Sequence, residues 1–307
     1  MKPAAFGIDV GGTKCLGVAI DEHGTVIDEV KVPTPDDGDE LVSILTEICS
    51  ELHAEGSIGL GVPGLVNRDG VLLAAPNITA RRMLPLRDLM HDATGLEVHV
   101  DNDNTVACLA EWRCGAGRGC DDMLLVGLGT GIGGGFVSGG ALQRGHNGFA
   151  GEFGHMIVVP GGLICPCGQR GCWERYASGS GLAQAARDAA LEGQLAAVLA
   201  DAGDADEIRG EDVTEAALAG DEQALAVVGT FARWVALGLV NLTNLFDPGT
   251  IVLSGGLSAD PELFLPPIVA SFEGSLFASG LRPRPEVKFA ELGPQAGGIG
   301  AALLTRT

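Results

Sequence analysis

Twice in this chain an apolar stretch runs into a glycine-rich turn and comes out again into a second apolar stretch. Ala5 to Asp9 leads through Gly11-Gly12 to Cys15–Ile20, and Met123 to Leu128 leads through Gly129–Gly135 to Phe136-Val137. Apolar runs parted by glycine read as hairpins. Their recurrence predicts two similar α/β halves, each offering a backbone turn, with a ligand held in a cleft between them. The first hairpin extends through Glu22-His23-Gly24 to Val26–Val32, which predicts a three-stranded meander. Leu41, Ile44, Leu45, Ile48 and Leu52 recur at helical spacing within Asp39–Ala54. Ser57 to Val62 is strand-like, Leu86 to Ala93 reads as a helix closed by Gly95, and Glu97 to Val100 reads as a strand running into Asp101-Asn102-Asp103-Asn104, with a helix from about Thr105. The second half is mostly helical, with helical periodicity in Ser180–Glu192, Val213–Ala219 and Asp221–Leu245. Thr250 to Leu253 is a strand leading into Ser254-Gly255-Gly256, and Gly297 to Thr305 is a short helix.

A chain of 307 residues accommodates two domains without disulfides. Its formal charge of −21 disfavours nucleic acid and anionic membranes as partners. A phosphate ligand must then be held by local positive ends: backbone N–H groups, a few basic side chains or a cation. The opening Met-Lys-Pro-Ala-Ala-Phe-Gly-Ile-Asp has no apolar signal core, so a cytoplasmic protein is expected. The longest apolar stretch, Ala224 to Phe246, is interrupted by Arg233, Asn241 and Asn244 and reads as a buried helix, not a membrane span. A reducing compartment argues against disulfides among the eight cysteines. Cys15, Cys49, Cys108, Cys114 and Cys120 are scattered and read as small core residues, whereas Cys165, Cys167 and Cys172 form a cluster.

Four constellations carry chemistry. Asp9-Val10-Gly11-Gly12-Thr13-Lys14 follows a strand directly. Its glycines allow close backbone approach to an anion, Thr13 adds a hydroxyl, Lys14 a cation, and Asp9 suits a water bound to Mg²⁺. An ordinary hairpin turn explains the same residues equally well, and the chain has no Gly-Lys pair, hence no Walker A loop. Gly129-Thr130-Gly131-Ile132-Gly133-Gly134 matches G-x-G-x-x-G, but the residues that follow cannot make a good helix. A dinucleotide site is therefore excluded and a second phosphate-facing hairpin kept. Asn102-Asp103-Asn104 at a strand end could supply a carboxylate that accepts a hydroxyl proton; the plainer alternative is that Asp103 or Asn104 only caps the next helix. Finally, His155 with Cys165, Cys167 and Cys172 makes a complete tetrahedral zinc set, closed and structural; three buried thiols and a core histidine are the plainer alternative. Glu152 and Glu174 flank that set. No G-x-S-x-G string supports an esterase-type nucleophile.

Together these elements resemble the ROK family (repressors, open reading frames, sugar kinases), and are closest to its bacterial glucokinase branch. Asp9–Lys14 resembles the family's first phosphate loop and Gly129–Gly131 its second. Cys165–Ser178, reading C-P-C-G-Q-R-G-C-W-E-R-Y-A-S, resembles its cysteine-rich signature, preceded by the matching Gly151-Glu152-Phe153-Gly154-His155. The resemblance implies an α/β fold of duplicated actin-like, ribonuclease-H-like domains with an interdomain cleft. A small domain would comprise residues 1–105 plus 295–307. A large one would comprise residues 106–294 and carry the zinc-binding loop at 155–172. The resemblance also implies ATP-dependent phosphorylation of glucose at the 6-hydroxyl. Asp103 would be the general base, and Asn77, Asn102, Glu152, His155 and Glu174 would bind the sugar. His155 would serve twice, with one ring nitrogen on Zn²⁺ and the other towards the sugar. Asp9, Gly11, Gly12, Thr13, Lys14, Gly129, Thr130 and Gly131 would face the phosphates and Mg²⁺, and Gly255 and Gly256 would lie near the adenosine. A homodimer or homotetramer is expected. An N-acetylhexosamine or mannose kinase and a non-catalytic sugar sensor are the alternative functions. A DNA-binding repressor is disfavoured, because the first phosphate loop begins at residue 9 and the charge is acidic.

Overall fold

The computed structural model describes residues 2–35, 37–74 and 83–306. Among the described residues, seven strands precede residue 103: β1 (Ala5–Val10), β2 (Lys14–Ile20), β3 (Val26–Pro33), β4 (Ser57–Val62), β5 (Leu65–Val66), β6 (Leu72–Ala74) and β7 (Glu97–Asn102). β5 and β6 pair with each other, and the other five form a sheet of order β3-β2-β1-β4-β7. β1, β2 and β3 are antiparallel neighbours, as the glycine hairpin demands. β4 and β7 run parallel to β1, with Asp9 opposite Gly61 and Gly61 opposite Asp101. The carboxyl ends of β1, β4 and β7 therefore lie side by side, the edge at which open α/β sheets bind ligands.

Five further strands, β8 (Met123–Leu128), β9 (Ile132–Ser138), β10 (Ala141–Gln143), β11 (Thr250–Ser254) and β12 (Glu286–Phe289), form a second sheet of order β10-β9-β8-β11-β12. Counted from its own first strand, each sheet has the order third, second, first, fourth, fifth. This is the duplication announced by the two glycine hairpins, and it gives the actin-like α/β fold expected above.

Ten helices complete the described chain: α1 (Gly38–Glu51), α2 (Leu86–Thr94), α3 (Asp103–Cys114), α4 (Glu174–Ala177), α5 (Gly179–Leu191), α6 (Ala196–Ala202), α7 (Gly210–Leu218), α8 (Glu222–Phe246), α9 (Pro261–Ser275) and α10 (Ala296–Leu304). In α1 the spacing read from sequence buries Leu41, Leu45 and Ile48 completely. Gly95 ends α2 in the left-handed conformation, φ 71°. α8 is long and apolar enough to cross a membrane. Its Phe231, Val235, Leu239 and Leu242 are instead fully buried, and it packs on α5, α7 and α9 as a core helix. All nine residues of α10 are buried, against β1, β4 and α3.

The chain divides into two compact units, residues 1–125 with 134–151 and 290–307, and residues 126–133 with 152–289. α3 and residues 134–151 group with the first unit, so these bounds differ from the domain bounds expected from sequence. The second glycine turn is also shorter than expected. It ends at Gly131, and Gly133–Gly135 lie within β9. The reason at Gly135 is close packing: a Cβ there would sit 2.7 Å from Cys108 Cβ on α3.

Candidate active site

In the first unit the β1–β2 turn is closed by Gly11 N–H donating to the Lys14 carbonyl at 2.9 Å. Thr34, just past β3, straps it from behind. Its hydroxyl donates to the Gly11 carbonyl at 2.7 Å and its N–H to the Thr13 carbonyl at 3.1 Å. Gly12, Thr13 and Lys14 stay exposed. Asp9, at the end of β1, is half-buried, and α10 approaches it so closely that a Cβ on Gly297 would lie 2.5 Å from Asp9 Oδ2. Burial first, and then the Asp103 carboxylate, push the Asp9 pKa up to about 7, with Lys14 pulling the other way.

The end of β7 settles which residue caps α3. Asn102 Oδ1 accepts from Asn104 N–H at 2.9 Å and Thr105 N–H at 3.1 Å, while its amide donates to the Gly64 carbonyl at 3.1 Å. Asn102 is the cap, so Asp103 is not required for that task. Asp103 Oδ1 accepts from both the backbone N–H and the side-chain amide of Asn104, at 2.8 and 3.0 Å. Burial raises the Asp103 pKa against those hydrogen bonds. The neighbouring Asp101 is fully buried and ion-paired to Arg144 Nε at 2.6 Å. Asn77 lies outside the described residues.

In the second unit, one ligand atom from each of His155, Cys165, Cys167 and Cys172 falls within 4.8 Å of all the others. Cys167 Sγ and Cys172 Sγ are 3.7 Å apart, and Cys165 Sγ is 3.9 Å from His155 Nδ1. Thiolates bound tetrahedrally to zinc at about 2.3 Å stand about 3.8 Å from one another. The cluster therefore fits a four-coordinate Cys₃His zinc site. Bridges of Ile157 to Cys172 and Ile164 to Arg170 fold the loop back on itself.

Glu174, the first residue of α4, ties this loop to the second glycine turn. Its Oε1 accepts from Cys165 Sγ at 2.9 Å and lies 3.9 Å from His155 Nδ1. Its Oε2 is 3.4 Å from Ile132 N–H, and a Cβ on Gly131 would come within 2.7 Å of it. His155 Nε2 faces Glu152 at 3.8 Å. Gly129 N–H donates to the Gly131 carbonyl at 3.0 Å, and the Gly129 carbonyl accepts from Gly179 N–H at 2.8 Å, which seats the start of α5 on the turn that includes Thr130. Gly255, φ 96°, backs onto the same turn, since a Cβ there would lie 3.0 Å from Gly129 N; Gly256 follows it.

The structure thus gathers the expected residues into two groups. Asp9, Gly11–Lys14, Asn102 and Asp103 lie in the first unit, and Gly129–Gly131, Glu152, His155, Glu174, Gly255, Gly256 and the three cysteines in the second. The roles of Thr34 and Gly297, and the hold of Asn104 on the Asp103 carboxylate, were not foreseen. Each acts through a contact distant in sequence or through a backbone role, and only the G-G pair opening α10 signalled a close approach.

Two ribonuclease-H-like sheets with a glycine turn at each first hairpin define an actin-like ATPase fold. The chain matches the ROK family over residues 5–307 and belongs to that family. It is 39% identical over 308 residues to a glucokinase of Streptomyces coelicolor, covering 98% of this chain and 97% of that protein. An N-acetyl-D-glucosamine kinase of Pectobacterium atrosepticum is 34% identical, covering 97% of this chain and 98% of the other. Among solved structures, a ROK glucokinase of Streptomyces griseus in complex with glucose and AMPPNP superposes with a TM-score of 0.87 at 42% identity, covering 98% of this chain and 99% of that one.

Proposed function

We propose that this protein is a glucokinase that transfers the γ-phosphoryl group of ATP to the 6-hydroxyl of glucose. The observation that carries the reading is the position of Glu174. It adjoins His155 on one side and the Gly131 turn on the other, which supports reading them as the sugar and phosphate sides of one site. Glucose as substrate is supported by the relatives named above.

In this reading Asp103 accepts the 6-hydroxyl proton as O6 bonds to the γ-phosphorus and the bond to the β,γ-bridging oxygen breaks. Burial raises its pKa, which makes the carboxylate a stronger proton acceptor. Asn104 fixes the carboxylate's orientation, and Asn102, by taking the cap, leaves Asp103 to the substrate. Asn77, Asn102, Glu152, His155 and Glu174 bind the remaining hydroxyls. The Gly11–Lys14 and Gly129–Gly131 turns face the phosphates, with Lys14 and Thr13 as side-chain donors, and Gly255 and Gly256 border the adenosine. Mg²⁺, held through water by Asp9, would neutralise charge on the transferring phosphates. Zn²⁺ on His155, Cys165, Cys167 and Cys172 would be structural, because four protein ligands leave no open position. We further propose a cytoplasmic homodimer or homotetramer; the exposed Leu245, Phe277 and Leu281 support self-association.

The similarity to an N-acetylglucosamine kinase favours a second reading, in which the same machinery takes a 2-substituted hexose. Transfer from MgATP to a panel of glucose, mannose, fructose and N-acetylhexosamines tests both. A preference for glucose is expected. A preference for an N-acetylhexosamine or for mannose would overturn the substrate, and no transfer from a folded, metal-loaded sample would replace the enzyme by a sugar sensor.

A further inference from the structure

Within the first unit, beside Val98–Val100 of β7, Arg68, Arg87, His99 and Arg144 line a cavity of about 90 Å³. In a chain with 19 basic against 40 acidic residues, the meeting of three guanidinium groups is not what composition alone would produce. Two of the arginines brace one loop. Arg68 donates through Nε and Nη2 to the Gly145 carbonyl, at 3.0 and 2.6 Å. Arg144, the residue before it, donates to the Val100 carbonyl at 3.3 Å and pairs with Asp101. Arg87 and His99 have acidic neighbours, Asp88 at 3.6 Å and Glu97 at 3.5 Å, but these carboxylates are 72% and 75% exposed. Water screens such pairs to little effect. Among the described residues, the one buried carboxylate paired with these groups is Asp101. Three guanidinium charges against one buried carboxylate leave about two positive charges facing the cavity.

The volume is that of about three water molecules at ~30 Å³ each. That suits a tetrahedral oxyanion and is too small for a nucleotide or a whole hexose. Guanidinium groups present planar, paired donors that match phosphate oxygens. We propose that this cavity binds a phosphoryl dianion, either inorganic phosphate or the phosphate end of a phosphomonoester whose remainder projects into solvent. No residue of the Gly11–Lys14 turn lines the cavity. The cavity also has a route to the chemistry, through Arg144 to Asp101 and so to the strand end that presents Asn102 and Asp103. A dianion that draws Arg144 away from Asp101 loosens that strand end and lowers kcat. This kinetic consequence rests on the proposed role of Asp103; the binding does not.

The test is calorimetric titration of inorganic phosphate, and separately of methyl phosphate, into the full-length protein saturated with AMPPNP and magnesium, so that the phosphate turns are already filled. The preceding AMPPNP titration reports independently on the kinase reading. One phosphate per chain is expected, with affinity at least tenfold weaker in Arg87→Gln and in Arg68→Gln. Arg87 is a surface residue of α2, so Arg87→Gln keeps the test valid should Arg68→Gln fold poorly. Methyl phosphate binding as tightly as phosphate identifies a phosphomonoester as the ligand, and weaker binding identifies the free anion. Absence of binding to the AMPPNP-saturated protein, or equal affinity in Arg87→Gln and wild type, overturns the proposal.

Discussion

Asp9 stores a cost that can be measured. Its carboxyl, pushed from an ordinary 3.8 to about 7 by burial and by Asp103, holds its proton in the folded chain over a pH range where the unfolded chain has released it. The folded state therefore binds more protons between these values, and stability falls as pH rises through them. At about 1.4 kcal/mol per pH unit, the full displacement amounts to about 4 kcal/mol, reached above pH 7. At pH 5 only about 2 kcal/mol of it has been incurred. Asp9→Asn keeps the shape and removes the charge. The metal-free variant should thus be more stable than wild type, with a gain in Tm on the order of 4 °C at pH 5 and 8 °C at pH 8 for a chain of this size. Scanning calorimetry of both proteins at pH 5, 6, 7 and 8, without nucleotide or magnesium, reads the difference directly. A gain that stays flat across the series, or a variant less stable than wild type at pH 8, would refute the argument. The site would then be solvating Asp9 better than its position against α10 and Asp103 implies.

Two further outcomes follow from the same geometry. Asp103→Asn should lower kcat by about 10²–10⁴-fold while glucose still binds, checked by steady-state rates alongside glucose titration; loss of glucose binding would reassign the residue from base to sugar ligand. Removing the metal with a chelator should raise the sugar KM and speed amide hydrogen exchange across residues 152–175, with one zinc per chain found by elemental analysis beforehand; unchanged exchange and KM would separate the cysteine loop from sugar binding.

What the sequence revealed was whatever repeats locally. The face of α1 showed in the spacing of Leu41, Leu45 and Ile48, and the end of α2 in Gly95, because periodicity and a left-handed glycine are local signals. The duplicated sheet order was visible as two glycine hairpins. α9 was not visible, because Pro266 and Pro267 lie inside it. Each proline removes a backbone donor and would ordinarily end a helix. This one continues because Phe264, Ile268 and Phe272 bury a single face. β12 is four residues long and alternates charge with apolar side chains, too short to register. At the site, residue types were legible and partners were not. The sequence put the cap on Asp103 or Asn104, and the geometry gives it to Asn102, one residue earlier, because α3 starts at Asp103. Thr34 and Gly297 reach the first turn from 23 and 288 residues away along the chain, beyond any local pattern.

In the proposed reading, Glu174 would link a structural metal to the sugar. Its Oε1 accepts the proton of the Cys165 thiol, and the same oxygen is the one turned towards His155. A carboxylate oxygen engaged by a thiol is a poorer acceptor for a sugar hydroxyl. Cysteine ligates zinc as the thiolate, and metal binding releases its proton, so zinc held by Cys165 would withdraw a competitor from Glu174. Ligation at His155 Nδ1 would likewise fix the tautomer, leaving Nε2 protonated beside Glu152 as a donor. The loop would then do more than hold two carboxylates in place. It would set which of their oxygens accept and which histidine nitrogen donates, and a hexose presenting both hydroxyl hydrogens and hydroxyl oxygens needs both kinds of partner.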